Sequence, residues 1–194
     1  MADKPQPSAP IDTITMGRRR FLKVSAMAVG GCFLPGTFTG ALHAAVRPER
    51  SLSFYNLHTG EGLNTIYWAE GQYIPEALAQ INHILRDHRS GEVASIDARL
   101  LDLLHELCGH MRTQSRLHVI SGYRSPHTNA ILREHRTGIA RNSLHTQGKA
   151  IDIRLPGHSL ASLRQAAVRL RGGGVGYYPD SDFVHMDTGR VRYW

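Results

Sequence analysis

An aspartate in the middle of an apolar, strand-like segment is the feature that most restricts how this chain can fold. In KAIDIRL (residues 149–155) the side chains alternate, which puts Asp152 and Arg154 on one strand face and Ile151 and Ile153 in the core. A carboxylate that starts on such a strand is costly to bury unless something neutralises it. The sequence therefore predicts a strand here, with a cation such as a divalent metal ion beside Asp152.

Two histidines are candidates to complete a metal site with this aspartate. His145 precedes the strand in SLHTQGKAID (residues 143–152), where a loop containing Gly148 can fold the imidazole back towards Asp152. His185 lies in DFVHMD, a second strand-like segment near the C-terminus. Two imidazoles and one carboxylate are ligands that zinc accepts while keeping a fourth position open for water. The chain has 12 histidines, so a single histidine near an aspartate could equally be an ordinary hydrogen-bonded pair.

The other segments predict a mixture of helices and short strands. A hairpin is expected around a turn at residues 59–62, and apolar residues at one-face spacing predict helices elsewhere. Because helices do not alternate strictly with strands, the expected fold class is α+β rather than a doubly wound parallel sheet. The predicted helices lie in residues 73–89, 95–111 and 159–174, with a further helical turn from Ser125 and Pro126, and the predicted strands lie in residues 117–122, 149–155, 174–178 and 183–187.

Residues 1–45 are expected to be a cleavable export signal. A basic GRRRFLK segment precedes an apolar stretch that is too short and too glycine-rich to span a membrane stably, and small residues follow around Ala44. Arg18 and Arg19, followed by Phe-Leu-Lys, resemble a twin-arginine signal, which predicts the twin-arginine translocation machinery as a partner and a periplasmic location. The alternatives are a Sec signal, an uncleaved anchor, or lipoprotein processing at Cys32.

Residues 46–194 are expected to form one domain. The chain has 194 residues, of which 41% are hydrophobic and 20% charged, as in folded soluble proteins. The net charge of +7 includes five basic and two acidic residues in the predicted signal, and no block of Lys and Arg is interleaved with aromatic residues, so no nucleic-acid partner is predicted. Cys108 is the only cysteine after the predicted signal, which excludes a disulfide framework and a cysteine-based zinc site.

Three segments together resemble the M15 peptidases, the zinc D,D-peptidase family with a hedgehog-like fold. They are SGYRS (residues 121–125), SLHTQGKAID, and GVGYYPDSDFVHMDTGRVRYW (residues 174–194). The family marks are a Tyr-Arg segment, His-x-x-Gly-x-Ala-x-Asp and a late metal histidine. The resemblance is closest to the murein endopeptidase K branch and also includes the segment at residues 73–97. It implies a small, mostly antiparallel sheet with packed helices.

The resemblance also implies roles for five residues. His145, Asp152 and His185 would bind zinc. Arg124 would lie beside the substrate, where its guanidinium suits a peptide carboxylate or the oxyanion that develops during attack. A structural salt bridge is the alternative role for Arg124. Ser143 matches the family as well and would orient the loop or touch substrate, and a capping or turn role is the alternative.

The general base has two candidates. Some M15 members carry a histidine two residues before the last ligand, but Phe183 occupies that position here. Others carry an acid three residues before it, which Asp182 matches and which makes Asp182 the preferred base, with a turn role as its alternative. Asp187, two residues after His185 on the same strand face, is the rival base, or it holds a ligand histidine by a hydrogen bond.

The activity that the resemblance implies is zinc-dependent hydrolysis of peptide cross-links in peptidoglycan, with stem peptides as the binding partner. Such an enzyme is a murein endopeptidase. A D-alanyl-D-alanine carboxypeptidase and a non-catalytic, zinc-containing peptidoglycan-binding protein are the alternatives. The bond between D-alanine and diaminopimelate and the bond between two diaminopimelates both remain open as cleavage sites.

Overall fold

The computed structural model describes residues 48–135 and 138–194. The export signal predicted for residues 1–45 lies outside this part of the chain. The described residues form strands and helices in a mixed order, which confirms the predicted α+β class. In chain order they are β1 (Arg50–Asn56), β2 (Gly62–Ala69), β3 (Gln72–Tyr73), α1 (Pro75–Ile84), α2 (Ala98–His110), β4 (Leu117–Ser121), α3 (Pro126–His135), β5 (Ala150–Arg154), α4 (Leu160–Leu170), β6 (Gly174–Tyr178), β7 (Phe183–Asp187) and β8 (Arg192–Tyr193).

The strands form one eight-stranded sheet in the order β3-β2-β1-β4-β5-β7-β6-β8. Neighbouring strands are antiparallel except for the β1/β4 and β6/β8 pairs, which are parallel. The predicted hairpin is confirmed as β1 and β2, and the predicted predominance of antiparallel pairing is observed. The sheet is nevertheless larger than the small one expected, because the hairpin joins the same sheet through the parallel β1/β4 pair.

The helices begin where their end residues satisfy or remove free backbone groups. α1 starts at Pro75, which has no N–H to leave unpaired at a helix start. The Asp97 side chain accepts a hydrogen bond from the Arg99 N–H at the start of α2, and Ser159 accepts one from the Ser162 N–H at the start of α4. The predicted helices are therefore confirmed, with shorter bounds than the segments suggested.

The core lies between the helices and the sheet. α1 and α2 bury leucine and isoleucine side chains that recur at helical spacing, and the central strands contribute Val119, Ile151, Ile153 and Val184. Cys108 packs partly buried against this core, where burial raises the pKa of its thiol to about 11. In the described part of the chain, no helix has the length and apolar character that a membrane crossing requires.

Candidate metal centre

β5 and β7 bring the predicted ligands from distant parts of the sequence together. The two strands are antiparallel neighbours, and Asp152 pairs directly with His185 in their register. Directly paired residues place their side chains on the same face of a sheet. Ile153 and Val184, which form the next pair, are fully buried on the opposite face. The predicted alternation of the strand around Asp152 is therefore confirmed.

His145 reaches the same face from a short 3₁₀ helix, residues Leu144–Gln147, immediately before β5. Gly148 ends this helix in the left-handed conformation, with φ of 65°. A Cβ on Gly148 would lie 2.1 Å from the Ser95 carbonyl oxygen, so only glycine fits this close approach. The turn at Gly148 is what folds the imidazole of His145 back over the start of β5.

The donor atoms of the three residues converge on one point. The Asp152 Oδ1 atom lies 2.8 Å from His185 Nδ1 and 3.3 Å from His145 Nε2, and the two nitrogens are 3.3 Å apart. Ligand atoms about 2.0–2.1 Å from a tetrahedral zinc ion are about 3.3 Å from one another. The three side chains therefore have the spacing that a bound metal ion requires, with one donor atom from each residue.

Each imidazole is fixed by a hydrogen bond from its other nitrogen. His145 Nδ1 lies 2.7 Å from the Gly122 carbonyl oxygen, which can only accept, so Nδ1 carries the proton. His185 Nε2 lies 3.0 Å from Asp187 Oδ2. In the neutral rings the lone pairs of His145 Nε2 and His185 Nδ1 then face Asp152. These outer hydrogen bonds hold the rings in the orientation that metal binding needs.

Asp187 is held behind His185 by a dense set of donors. Its carboxylate is fully buried and accepts hydrogen bonds from both terminal nitrogens of Arg192 and from the N–H groups of Gly174 and Gly189. Burial alone would raise the pKa of Asp187, but the hydrogen bonds from His185 and Arg192 outweigh it and hold that pKa well below its usual range. Asp187 is therefore an ionised carboxylate that is hydrogen-bonded to His185.

The pKa values of Asp152 and His185 show that the candidate ligands attract a cation. Burial disfavours ionised Asp152, but the charge and hydrogen bonds of His145 and His185 outweigh it, and the pKa of Asp152 is lowered. Burial also lowers the pKa of His185, yet hydrogen bonds to Asp152 and Asp187 dominate and raise it to about 9. Without a metal ion, a proton on His185 supplies the positive charge that this site needs.

Arg124 and Ser143, to which the resemblance assigns substrate contacts, lie next to residues of the candidate site in space or in sequence. Arg124 is buried, donates to Ser121 Oγ and Asn129 Oδ1 at 3.4 Å, and its backbone N–H donates to the His145 carbonyl oxygen. Ser121 pairs with Asp152 across β4 and β5, so the guanidinium lies near the sheet face of the three candidate ligands His145, Asp152 and His185. We call this face the metal-binding face. Ser143 is buried at the start of the 3₁₀ helix, and its carbonyl oxygen accepts hydrogen bonds from Thr146.

Asp182, the preferred candidate base, lies immediately before the first residue of β7 rather than among the candidate ligands. It follows a short 3₁₀ helix with a φ of 52°, and its side chain is 60% exposed. Its carboxylate accepts a hydrogen bond of 2.6 Å from Arg154. Arg154 is two residues after Asp152 on β5 and shares its strand face. Asp182 is thus near the edge of the metal-binding face.

The sequence did not identify three groups that support the ligands. They are the Gly122 carbonyl, Arg192 and Gly174. Gly122 itself packs tightly, since a Cβ there would lie 2.5 Å from the Leu85 carbonyl oxygen. The only sequence signal for Arg192 is a cation five residues after a predicted buried acid, and a backbone carbonyl leaves no signal in side-chain patterns.

The fold and the site together define an α+β protein with a His/Asp/His group on one face of its sheet that could hold a metal ion. A family model described as "Peptidase_M15_2: Peptidoglycan L,D-endopeptidase MepK" matches residues 44–194. The chain therefore belongs to the M15 peptidase family. This match confirms the resemblance read from the sequence, including its murein endopeptidase K branch.

Relatives that align over nearly their whole length have names that match the description of the family model. "Peptidoglycan L,D-endopeptidase MepK" of Escherichia coli (strain K12) is 43% identical over 184 residues, which cover 95% of this chain and 100% of the relative. The protein of that name in Shigella flexneri gives the same values. "Probable peptidoglycan L,D-endopeptidase MepK" of Haemophilus influenzae is 36% identical over 182 residues, or 93% of this chain and 97% of the relative. No solved structure matches the chain significantly.

Proposed function

We propose that this protein is a zinc-dependent peptidoglycan endopeptidase that hydrolyses peptide cross-links during cell-wall remodelling. The observation that carries the proposal is the convergence of His145 Nε2, Asp152 Oδ1 and His185 Nδ1 within 3.3 Å of one another. The relatives named as L,D-endopeptidases support the substrate, and they favour an L,D cross-link over the bond that involves D-alanine.

The donor set supports zinc as the metal. Two imidazole nitrogens and one carboxylate oxygen are typical ligands of catalytic zinc, which keeps a further position for water or substrate. When bound, zinc would lower the pKa of a water molecule and polarise the scissile carbonyl. The protein's own contribution is orientation, because Gly122 and Asp187 hold the two rings so that little rearrangement is needed on binding.

Arg124 and Ser143 are the proposed substrate-binding residues. The guanidinium of Arg124 lies near the metal-binding face, where it can pair with a carboxylate of the stem peptide in two parallel hydrogen bonds. This pairing would place the scissile amide next to the metal centre. Ser143 precedes His145 by two residues and would contact substrate from the 3₁₀ helix.

Asp182 is the proposed proton acceptor and Asp187 the orienting carboxylate. The five hydrogen bonds that Asp187 accepts leave it little capacity to take a proton. Asp182 has an exposed carboxylate at the edge of the same face. A well-placed base contributes about 10²–10⁴-fold to such a reaction. We therefore expect Asp182→Asn to lower kcat at unchanged zinc occupancy, and Asp187→Asn to lower zinc affinity. Activity that survives in Asp182→Asn and is lost in zinc-loaded Asp187→Asn would reverse the two assignments.

The proposed location is the periplasm, reached by the twin-arginine route, because the substrate lies outside the cytoplasmic membrane. The predicted signal in residues 1–45 supports this route. The order of helices and the antiparallel β5/β7 pair that holds the ligands are compatible with a hedgehog/D,D-peptidase-like fold, which we propose for residues 46–194 as a single domain.

Digestion of purified sacculi tests the proposed function. The protein is incubated with sacculi with and without a chelator, and the released muropeptides are separated by chromatography. We expect cross-linked dimers to decrease and monomers to increase, and the chelator to stop this change. Shortening of pentapeptides without loss of dimers would indicate a carboxypeptidase. Binding to sacculi without any hydrolysis by zinc-loaded protein would indicate a non-catalytic binding protein.

A further inference from the structure

A row of paired residues crosses the metal-binding face of the sheet. Ser121 on β4 pairs with Asp152 on β5, Asp152 pairs with His185 on β7, and His185 pairs with Gly176 on β6. Neighbouring strands are about 4.8 Å apart, so the row runs from the Arg124 side of the centre to β6 in a few such steps. The β6 end of this row carries no side chain of its own.

The indole of Trp194 fills the space above Gly176. A Cβ on Gly176 would lie 2.7 Å from the indole ring, so glycine is what allows the ring to lie against the strand. The ring centroid is 5.4 Å from that of His185, and indole Nε1 donates a hydrogen bond of 2.7 Å to the Tyr178 hydroxyl. The indole is therefore held in a fixed orientation beside a metal ligand.

This aromatic side chain is also open to solvent. Trp194 is 46% exposed, and the exposed Tyr178 next to it stacks on Phe183 with ring centroids 4.6 Å apart. Exposed aromatic surface that is held rigidly beside a reactive centre is typical of a ligand-binding wall. The metal centre thus has a cation, Arg124, on one side and an apolar wall on the other.

We propose that Trp194 is a specificity-determining residue whose indole binds the methylene chain of the cross-linked diamino acid. This inference rests on the proposed endopeptidase function. The diamino acid supplies the amine of the scissile amide, and the carbon next to that nitrogen carries both a carboxylate and a methylene chain. With the amide at the metal centre and the carboxylate at Arg124, the methylene chain extends towards the opposite side, where Trp194 lies.

The short distance between Trp194 and the metal centre favours the methylene chain of the diamino acid, rather than the glycan, as the group that Trp194 binds. The cross-link is at the far end of the stem peptide from the sugar, and each extended residue adds about 3.3–3.6 Å. The Trp194 ring is only 5.4 Å from the His185 ring, so it contacts groups close to the scissile amide. A methylene chain beside an indole gains by removing apolar surface from water.

Steady-state kinetics with a purified cross-linked muropeptide dimer test the proposal. We expect Trp194→Ala to raise KM about tenfold, the size expected for partial exposure of a few methylene groups, with kcat within about threefold. Trp194→Phe should keep most of the affinity. For a substrate with D-alanine in place of the diamino acid, Trp194→Ala should leave KM unchanged. An equal rise in KM for both substrates would overturn the proposal.

Tyr193→Ala is the matched control. Tyr193 is the neighbouring residue, is similarly exposed at 42%, and donates its hydroxyl to the Val168 carbonyl on α4, away from the metal-binding face. We expect this variant to keep the KM of the unchanged protein. Equal zinc content and equal thermal stability in the variants would show that the ligands and the fold are intact.

Fluorescence separates this proposal from the proposed function. The chain has two tryptophans, so Trp68→Phe leaves Trp194 as the only one. Titration of this zinc-loaded variant with monomeric muropeptide, which carries a free diamino acid, should change the Trp194 emission. If the protein hydrolyses no cross-links, the proposed function fails and the emission change alone decides about Trp194. Hydrolysis with a silent Trp194 and an unchanged KM in Trp194→Ala would contradict this proposal alone.

Discussion

The carboxylates of Asp102 on helix α2 and Asp152 on strand β5 have hydrogen-bond partners of opposite kinds. Asp102 on α2, near the β1/β2 hairpin, accepts hydrogen bonds from the hydroxyls of Tyr67 and Tyr73 at 2.9 and 2.7 Å and pairs with Arg50 at 2.7 Å. Among the described residues, the side chains that approach the Asp152 carboxylate on β5 are the imidazoles of His145 and His185.

The comparison shows that a partly buried acid such as Asp102 does not by itself mark a metal site. The two tyrosine hydroxyls and Arg50 supply protons and a permanent positive charge, so the hydrogen bonds and the charge of the Asp102 carboxylate are satisfied without a metal ion. The partners of Asp152 donate their other N–H groups to Gly122 and Asp187, which leaves two nitrogens and one oxygen facing one another. Only a proton or a metal ion can satisfy that arrangement.

Removing a candidate metal ligand should cause the largest loss of cross-link hydrolysis. We expect His185→Ala to lose cross-link hydrolysis by more than about 100-fold, beyond the loss usual for residues that only support a ligand. Zinc content should fall in parallel, while circular dichroism shows a retained fold. Normal turnover in His185→Ala would show that the centre is not catalytic.

Removing Arg192, which pairs with Asp187, should have a smaller effect and should act on zinc affinity. Arg192→Met leaves all three ligands in place but frees Asp187 from its cation, and we expect about a 10–100-fold loss of zinc affinity. A competition titration with a zinc-binding dye measures it. Arg99→Met is the matched control, because Arg99 pairs with Asp97 in an exposed ion pair at 2.8 Å. Equal zinc affinities for the two variants would contradict the role assigned to Arg192.

The pH dependence of zinc binding should reflect the raised pKa of His185. In the metal-free protein this pKa is about 9, so His185 is protonated at neutral pH. Zinc must displace that proton from Nδ1, so affinity should fall about tenfold per pH unit below pH 9, with about one proton released per zinc at pH 7. Calorimetry in buffers of different ionisation enthalpy measures the release. Proton release that does not decline above pH 9 would contradict this assignment.

Substitution of Asp102 should have the smallest effect on activity. Asp102→Ala leaves the hydroxyl of buried Tyr67 without its acceptor, which should lower the free energy of unfolding by about 1–3 kcal/mol. Urea denaturation measures this change. Zinc affinity and hydrolysis should stay within about twofold, because the partners of Asp102 do not include a metal ligand. A large loss of zinc binding would show that the two carboxylates are not independent.

The sequence predicts the part of the site that follows from local periodicity. Alternation around Asp152 and in the segment of His185 gives the strands and their faces, and the turn at Gly148 accounts for His145. Pairing of β6 with the two-residue strand β8 is not predictable in this way, because two residues carry no periodicity. The positions of Arg192 and Trp194 depend on that pairing and on the glycines beneath them, so both escaped the sequence analysis.

Anomalous diffraction from a crystal of the zinc-loaded protein tests most directly whether the three residues share one ion. The expected result is one dominant zinc peak about 2.0–2.2 Å from His145 Nε2, His185 Nδ1 and a carboxylate oxygen of Asp152. A zinc peak bound by other side chains, with these three donors outside bonding distance of any ion, would contradict the account.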